Sequence, residues 1–412
     1  MKEGWNKYKF REVVNFQPSV KLQKGESYWF IPMEDIQEKT SYVFPKQKKV
    51  FDGSSGAKFK DKDIIFSRIT PCLQNGKISQ AVLGENQSGF GSTEYFVFRG
   101  KDKLVDQKFL FYFVTSDAFT GSAINSMVGA SGRQRADKGY ISNLDIILPP
   151  IDEQKAISNV LSTYDDLIVN NTKRIAILEQ MAEQIYKEWF VRMRFPGHEN
   201  TKFVKGIPEG WEVSKIKDFG KVVTGKTPST NVSDYYDGPY PFIKTPDMHG
   251  NIFILETVET LSQRGVDSQK SQLIPANSIS VSCIGTGGVV SIAAEPSMTN
   301  QQIHTLIIKK NHLREYMFFT LKGLKETIEL FGATGATMTN LSKGKFEKLL
   351  VIKPNDELLQ SYSNIVKPIF DEIKNIGTQN ISLKSSRELL LPRLISGKLS
   401  VEHLTSKLQE TA

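Results

Sequence analysis

The sequence predicts an α+β protein in which two α+β domains alternate with two long helices packed as an antiparallel coiled coil, the whole forming a pseudo-twofold internal repeat. Three observations predict it. Landmarks recur at a spacing near 204 residues; the first 150 or so residues of each copy mix strand and turn signals; and the last 40 or so of each carry a heptad seam. With 412 residues, the chain exceeds what one core usually holds, and two copies are too few for a solenoid.

The first copy begins at Gly4-Trp5, which opens a Lys-rich amphipathic stretch, and the second at Gly210-Trp211. Lys62-Asp63-Ile64-Ile65-Phe66-Ser67 leading to Gly76-Lys77-Ile78-Ser79 is echoed by Ala276-Asn277-Ser278-Ile279-Ser280-Val281 leading to Gly288-Val289-Val290-Ser291. Both read as short β hairpins. Apolar runs such as Tyr95-Phe96-Val97-Phe98 and His304-Thr305-Leu306-Ile307-Ile308, broken by Gly, Pro, Ser and Asn, read as further strands. Gly129-Ala130-Ser131-Gly132 answers Gly332-Ala333-Thr334-Gly335. Ile147-Leu148-Pro149-Pro150 and Val351-Ile352-Lys353-Pro354 each close a domain. The expected division is therefore 1–150, 151–195, 196–354 and 355–412.

In the first helical region Ile157, Leu161, Tyr164, Ile168, Asn171, Ile175, Leu178, Ala182, Ile185 and Trp189 recur at alternating steps of four and three. That is a heptad seam. The second region repeats it with Val366, Ile369, Ile373, Ile376, Asn380, Leu383, Arg387, Leu390 and Leu394, weakened by Pro368 and Gly377. The simplest partner for each seam is the other. In an antiparallel pair the middles meet, so Asn171 and Asn380 are expected to approach each other and fix register.

Charge divides the same way. The net +8 is distributed as +6 over 1–150 and +3 over 196–354, while the helical regions carry −1 and 0. The basic excess sits in the globules, where it could meet phosphates.

Several chemistries are excluded. Cys72 and Cys283 are too few for a disulfide framework, and with five scattered His residues they offer no metal-ligand spacing. No Gly-rich loop ends in Gly-Lys-Ser/Thr. Cys283-Ile284-Gly285-Thr286-Gly287-Gly288 reads as a hairpin turn, and Asp237-Gly238-Pro239-Tyr240 misses the Asp-Pro-Pro-Tyr run of amino-methyltransferases by an inserted Gly. His198, His249, His304, His312 and His403 fit surface or satisfied core positions. No catalytic or metal residue is assigned, and a non-enzyme is expected. No apolar run is long enough to span a membrane, and MKEGWNKYKF lacks a signal-peptide core, so a cytoplasmic protein is expected.

Four blocks of the sequence resemble those of the specificity (S) subunits of type I restriction-modification systems, a resemblance that covers essentially the whole chain. They are Leu148-Pro149-Pro150-Ile151-Asp152-Glu153-Gln154-Lys155-Ala156-Ile157, then Trp189-Phe190-Val191-Arg192-Met193-Arg194-Phe195-Pro196-Gly197, Gly206-Ile207-Pro208-Glu209-Gly210-Trp211 and Leu390-Leu391-Pro392-Arg393-Leu394-Ile395-Ser396-Gly397-Lys398-Leu399. One departure is Asp356-Glu357-Leu358-Leu359-Gln360, which lacks the compact Glu-Gln pair. The resemblance implies that each domain reads one half of a split, asymmetric double-stranded DNA site. The helix pair, about 55 Å long at 1.5 Å per residue, would set the spacer. It further implies two methyltransferase (M) subunits that bind S-adenosylmethionine and methylate a flipped adenine, and restriction motor (R) subunits that use ATP and Mg. No cofactor is expected in this chain.

Base and phosphate contacts call for Arg, Lys, Gln or Thr on loops that can enter a groove. The candidates are Arg68, Arg133, Gln134, Arg135 and Lys138 in the first domain, and Lys226, Thr227 and Lys244 in the second, with Asn300-Gln301-Gln302 behind them. Two other readings compete: a scaffold for protein assembly without base-specific reading, and a monofunctional methyltransferase or nuclease, which the missing motifs disfavour.

Overall fold

A computed structural model describes residues 4–130, 132–333 and 339–401. Ser131, Thr334, Gly335 and His403 lie outside the described residues. The chain divides into two compact units, one of residues 1–169 and 382–412, the other of 170–381.

The first unit holds the first globule. Its outermost strands close on each other: β1 (Asn6–Lys9) runs antiparallel to β11 (Asp145–Leu148), with Asn6 opposite Leu148. After the short α1 (Phe10–Val13) and β2 (Val14–Phe16) comes a second sheet's β3 (Ser27–Ile31), followed by β4 (Tyr42–Val43), β5 (Gln47–Val50), β6 (Lys58–Lys60), β7 (Ile64–Ser67), β8 (Ile78–Ala81), β9 (Ser88–Gly91) and β10 (Tyr95–Gly100). The central sheet has the order β2-β10-β7-β8-β4, antiparallel except for the final β8·β4 pair. Every residue of β7 and β8 is buried. A strand covered on both faces reads as a continuous run without alternation, which is why these two stand out in the sequence. Ile64 and Phe66 face α2 (Gln107–Thr115) and α3 (Asp117–Asn125), whereas Ile65 faces the other sheet, ordered β5-β3-β9-β6. A short α4 (Lys138–Ser142) precedes β11.

The second unit repeats the closing pair and the central sheet of this frame, with a three-stranded second sheet in place of the four-stranded one. A hairpin of an exposed β12 (Phe203–Val204) and a largely covered β13 (Ile207–Pro208) precedes β14 (Glu212–Lys215), which pairs antiparallel with the closing strand β25 (Leu350–Lys353). Between them lie β15 (Gly220–Thr224), β16 (Tyr236–Ile243), α6 (Thr245–Met248), β17 (Phe253–Ile254), β18 (Thr260–Leu261), α7 (Gln263–Asp267), β19 (Ile279–Ser282), β20 (Ile284–Gly285), β21 (Val290–Ala293), β22 (Met298–Thr299), β23 (Ile303–Ile308), α8 (Arg314–Gly323), α9 (Lys325–Gly332), β24 (Thr339–Asn340) and α10 (Lys343–Glu347). Its central sheet, β15-β23-β19-β21-β17, has the order and strand senses of the first, again ending in a parallel pair. In the three-stranded sheet, β18-β16-β22, the pair β16·β22 is parallel, as β3·β9 is. The recurrence seen in the sequence is thus a recurrence of topology.

Each globule is followed by a long helix, α5 (Ile151–Tyr186, 36 residues) and α11 (Asp356–Ile395, 40 residues). All the seam residues named above are buried or half-buried. In the second unit Asn171 meets Asn380 and Arg174 meets Glu372, so the helices run antiparallel. The helix α11 passes through both Pro368 and Gly377. A Cβ at Gly377 would lie 2.5 Å from Leu255 Cδ1, so the missing side chain seats Leu255 on the helix.

The two helix starts differ as their sequences do. Buried Gln154 donates to Leu104 O at 3.0 Å and Pro149 O at 2.9 Å and accepts from the Asp106 amide at 2.9 Å, and Glu153 accepts from Trp5 Nε1 at 3.1 Å. Counting from the helix start, Leu359 stands in place of Gln154 and is wholly buried, while Asn355 Oδ1 caps the helix by accepting from the Leu358 amide at 2.8 Å. An apolar contact and a side-chain cap thus replace the amide of the first copy.

Candidate nucleic-acid interface

In the first globule the candidates gather where β7 ends, β10 begins and the 128–136 segment returns. The Ala136 amide donates to Arg68 O at 2.8 Å, and the Thr70 amide donates to Gln134 O at 3.0 Å. This brings Arg68, Gln134 and Arg135 to one place. Glu94, not singled out by the sequence, organises them: Arg135 donates to it through Nη2 at 2.6 Å and Nε at 2.9 Å, and Arg68 through Nε at 3.3 Å. The hydrogen bond from Arg135 is the main cause that holds the Glu94 carboxyl below the usual carboxylate range. The two-pronged contact fixes the guanidinium plane of Arg135, whereas Arg68 is held through Nε alone. Arg133 is exposed, its backbone amide donating to Ala130 O at 3.0 Å. Lys138 stands apart from the cluster at the start of α4, its Nζ 5.1 Å from the Phe16 ring centroid.

The first globule also displays lysines that the sequence reading passed over. All four residues of the edge strand β5 are exposed. Lys48 and Lys49 lie 5.0 and 3.9 Å from the ring centroids of Trp29 and Phe30, and Lys58 lies 4.9 Å from that of Phe51. The signal was the run Lys46-Gln47-Lys48-Lys49, which pairing with β3 sets against Trp29 and Phe30. Rings that hold ammonium groups in place give a basic surface with less entropy to lose on meeting phosphates.

In the second globule the candidates also converge. Gly225 donates to Ile303 O at 3.1 Å and Lys226 to Thr299 O at 2.9 Å through their backbone amides, and Thr227 Oγ1 donates to Gln301 Oε1 at 2.6 Å. Only glycine fits at 225, because a Cβ would lie 2.2 Å from both Asn300 O and Thr299 Oγ1. Lys244 leaves β16 toward the same region, where the Asn300 amide donates to Ile243 O at 3.1 Å. Its ammonium pairs with Glu259. The hydroxyls of Thr245 and Thr299 are buried without a hydrogen-bond partner.

The two clusters occupy equivalent places. The Leu341 amide donates to Cys283 O at 2.9 Å as Ala136 does to Arg68 O, so Cys283 and Asn340 correspond to Arg68 and Arg135. Gln302, just before β23, corresponds to Glu94, just before β10. One frame therefore carries Arg, Arg and Glu in the first copy and Cys, Asn and Gln in the second. Cys283 is buried, and burial pushes its thiol up to about 12. His304 is a satisfied core residue between Thr224 Oγ1, 3.1 Å from Nδ1, and Leu341 O, 2.9 Å from Nε2. Burial lowers its pKa. Among the described residues no group of three or more His, Cys, Asp or Glu is placed to hold a metal ion, and no helix is long and apolar enough to cross a membrane.

Comparison with known proteins agrees with this arrangement. The family model described as the type I restriction modification DNA specificity domain matches residues 2–180 and 208–385, once per copy. The type I restriction enzyme HindI specificity subunit of Haemophilus influenzae is 30% identical over 413 residues, covering 85% of this chain and 89% of that protein. The MjaVIII specificity subunit of Methanocaldococcus jannaschii is 23% identical, covering 95% and 94%. The crystal structure of an S subunit from M. genitalium superimposes with a TM-score of 0.58 over 95% of this chain and 96% of that one, at 17% identity, so the fold is shared. The chain belongs to the type I restriction-modification specificity family, as a subunit that recognises DNA.

Proposed function

We propose that each globule reads one half of a split, asymmetric DNA site, and that the helix pair sets the unread spacer between the halves. The observation that carries this reading is the repeat itself, in which one strand frame presents Arg68, Arg135 and Glu94 in one copy and Asn340 and Gln302, with a buried Cys283 in place of Arg68, in the other. Equivalent frames suit equivalent docking on a duplex, and different side chains at equivalent loops suit different base sequences. Phosphate contacts come from the basic surfaces, including Lys48, Lys49, Lys58, Lys138 and Lys226.

On this reading the chain itself performs no catalytic step and works in the cytoplasm. Two methyltransferase subunits dock on the helical regions, bind S-adenosylmethionine and methylate a flipped adenine in each half-site. Motor-nuclease subunits supply ATP- and Mg-dependent cleavage. The test is the salt dependence of duplex binding by the complex of this chain with its methyltransferase subunits. Binding through several phosphates weakens at least about a hundredfold between 50 and 200 mM salt. Affinity that does not change with salt would instead support a protein-assembly scaffold.

A further inference from the structure

The helices α5 and α11 begin at residues 151 and 356, so positions 205 apart are equivalent. Ser158 and Ser363 agree, each donating to an acid of its own globule, Asp106 at 2.9 Å and Glu315 at 3.3 Å. In the first unit Arg387 donates through Nη1 to Asp165 Oδ1 and, at 3.2 Å, to Ser41 Oγ, while Tyr112 donates to Asp165 Oδ2; all four residues are buried. The positions equivalent to Asp165 and Arg387 are Phe370 and Ala182, which are wholly buried members of one apolar cluster in the second unit. The positions equivalent to Asn171 and Asn380 are Ile376 and Ile175. The seams are thus alike in spacing and unlike in polarity.

We infer that Asp165, Arg387, Asn171 and Asn380 form a pairing code that lets the first seam accept only the second and excludes assembly of either seam with a copy of itself. Were two first seams to pair, Asp165 would face Ala182 and Asn171 would face Ile175. Were two second seams to pair, Arg387 would face Phe370 and Asn380 would face Ile376. Each mismatch buries a charge or an amide without its partner, which is far more costly than the matched pair is beneficial. Apolar residues at all four positions would hold the helices together equally well but would not choose between partners. Phe370 and Ala182, in the second unit, show that the frame tolerates such residues. A duplicated chain needs this discrimination because its two seams share heptad spacing, and an exchanged pairing would join two readers of the same half-site.

The test uses the full chain, folded and then nicked at a protease site placed in the exposed Lys205–Gly206 turn between β12 and β13. Light and isotope-labelled nicked proteins are mixed, unfolded and refolded, and the assemblies are counted by native mass spectrometry. The wild type is expected to give the 1–205 fragment paired with the 206–412 fragment in at least about 100-fold excess over like pairs. The variant Asp165→Leu, Arg387→Leu, Asn171→Ile, Asn380→Ile is expected to give like and unlike pairs in comparable amounts. Like pairs abundant in the wild type, or exclusive unlike pairing in the variant, would overturn the inference. A second variant, Asp165→Arg with Arg387→Asp, keeps the test decisive should the apolar one misfold. Its fragments should pair with each other and reject wild-type fragments, and indiscriminate exchange would overturn the code.

Discussion

Asn171 donates through Nδ2 to Oδ1 of Asn380 at 3.0 Å, joining two buried amides 209 residues apart in sequence. Each is the other's polar partner on an otherwise largely apolar seam, so removing one leaves the second amide desolvated. The substitution Asn171→Leu is expected to destabilise the second unit by about 1–3 kcal/mol. The double variant Asn171→Leu, Asn380→Leu should recover that loss, because no orphaned amide remains. Urea denaturation of the single and double variants reads the difference, and additive losses would show that the amides do not depend on each other.

Burial holds His304 neutral, and the sign of its pH effect follows from that. Its folded pKa lies below the ordinary value near 6.5, so the unfolded chain takes up the proton first as pH falls. Its contribution to stability is therefore present above about pH 6.5 and lost as pH falls below it. Wild type should lose stability relative to His304→Gln between pH 7.5 and pH 5, measured as denaturation midpoints. Parallel pH profiles would contradict the buried, neutral histidine.

The Cys283 thiol, buried and shifted up to about 12, is closed to thiol reagents in the folded protein. Half-buried Cys72 is the one thiol available for slow reaction. Mass spectrometry after alkylation at pH 8 should find at most one modified cysteine in the native chain and two after unfolding. Rapid native modification of Cys283 would mean that the β19 end opens readily.

Arg135 and Arg68 share Glu94, so removing one alters the presentation of the other. Either Arg135→Ala or Arg133→Ala should weaken methylation through one half-site about tenfold or more while leaving the sequence preference of the other half intact. A randomised library of split sites, methylated by the assembled complex and sequenced, checks this. Relaxation of both halves together would contradict two independent readers.

The parts of the molecule governed by periodicity were legible in the sequence. The seam positions from Ile157 to Trp189 and from Val366 to Leu394 follow from heptad spacing alone, and β7 and β8 from short runs bounded by Gly and Lys. Other features depend on contacts between distant segments. Glu94 carries no local signal, and its role appears only when β10 lies beside β7 and the 128–136 segment. The lysines of β5 likewise gain their aromatic platform only through pairing with β3. Seam spacing pointed to the Asn pair, but the Asp165–Arg387 pair was hidden, because Asp165 lies beside the heptad positions and meets its partner across 222 residues.

The central claim is that two different readers share one chain, and the most direct measurement is a map of methylated adenines. DNA from cells expressing this chain with the methyltransferase subunits proposed for it is compared with DNA from cells lacking only this chain. The account predicts a new motif of two short, dissimilar half-sites separated by a spacer of fixed length, methylated once in each half. A palindromic or continuous motif, or methylation unchanged with the complex assembled, would contradict it.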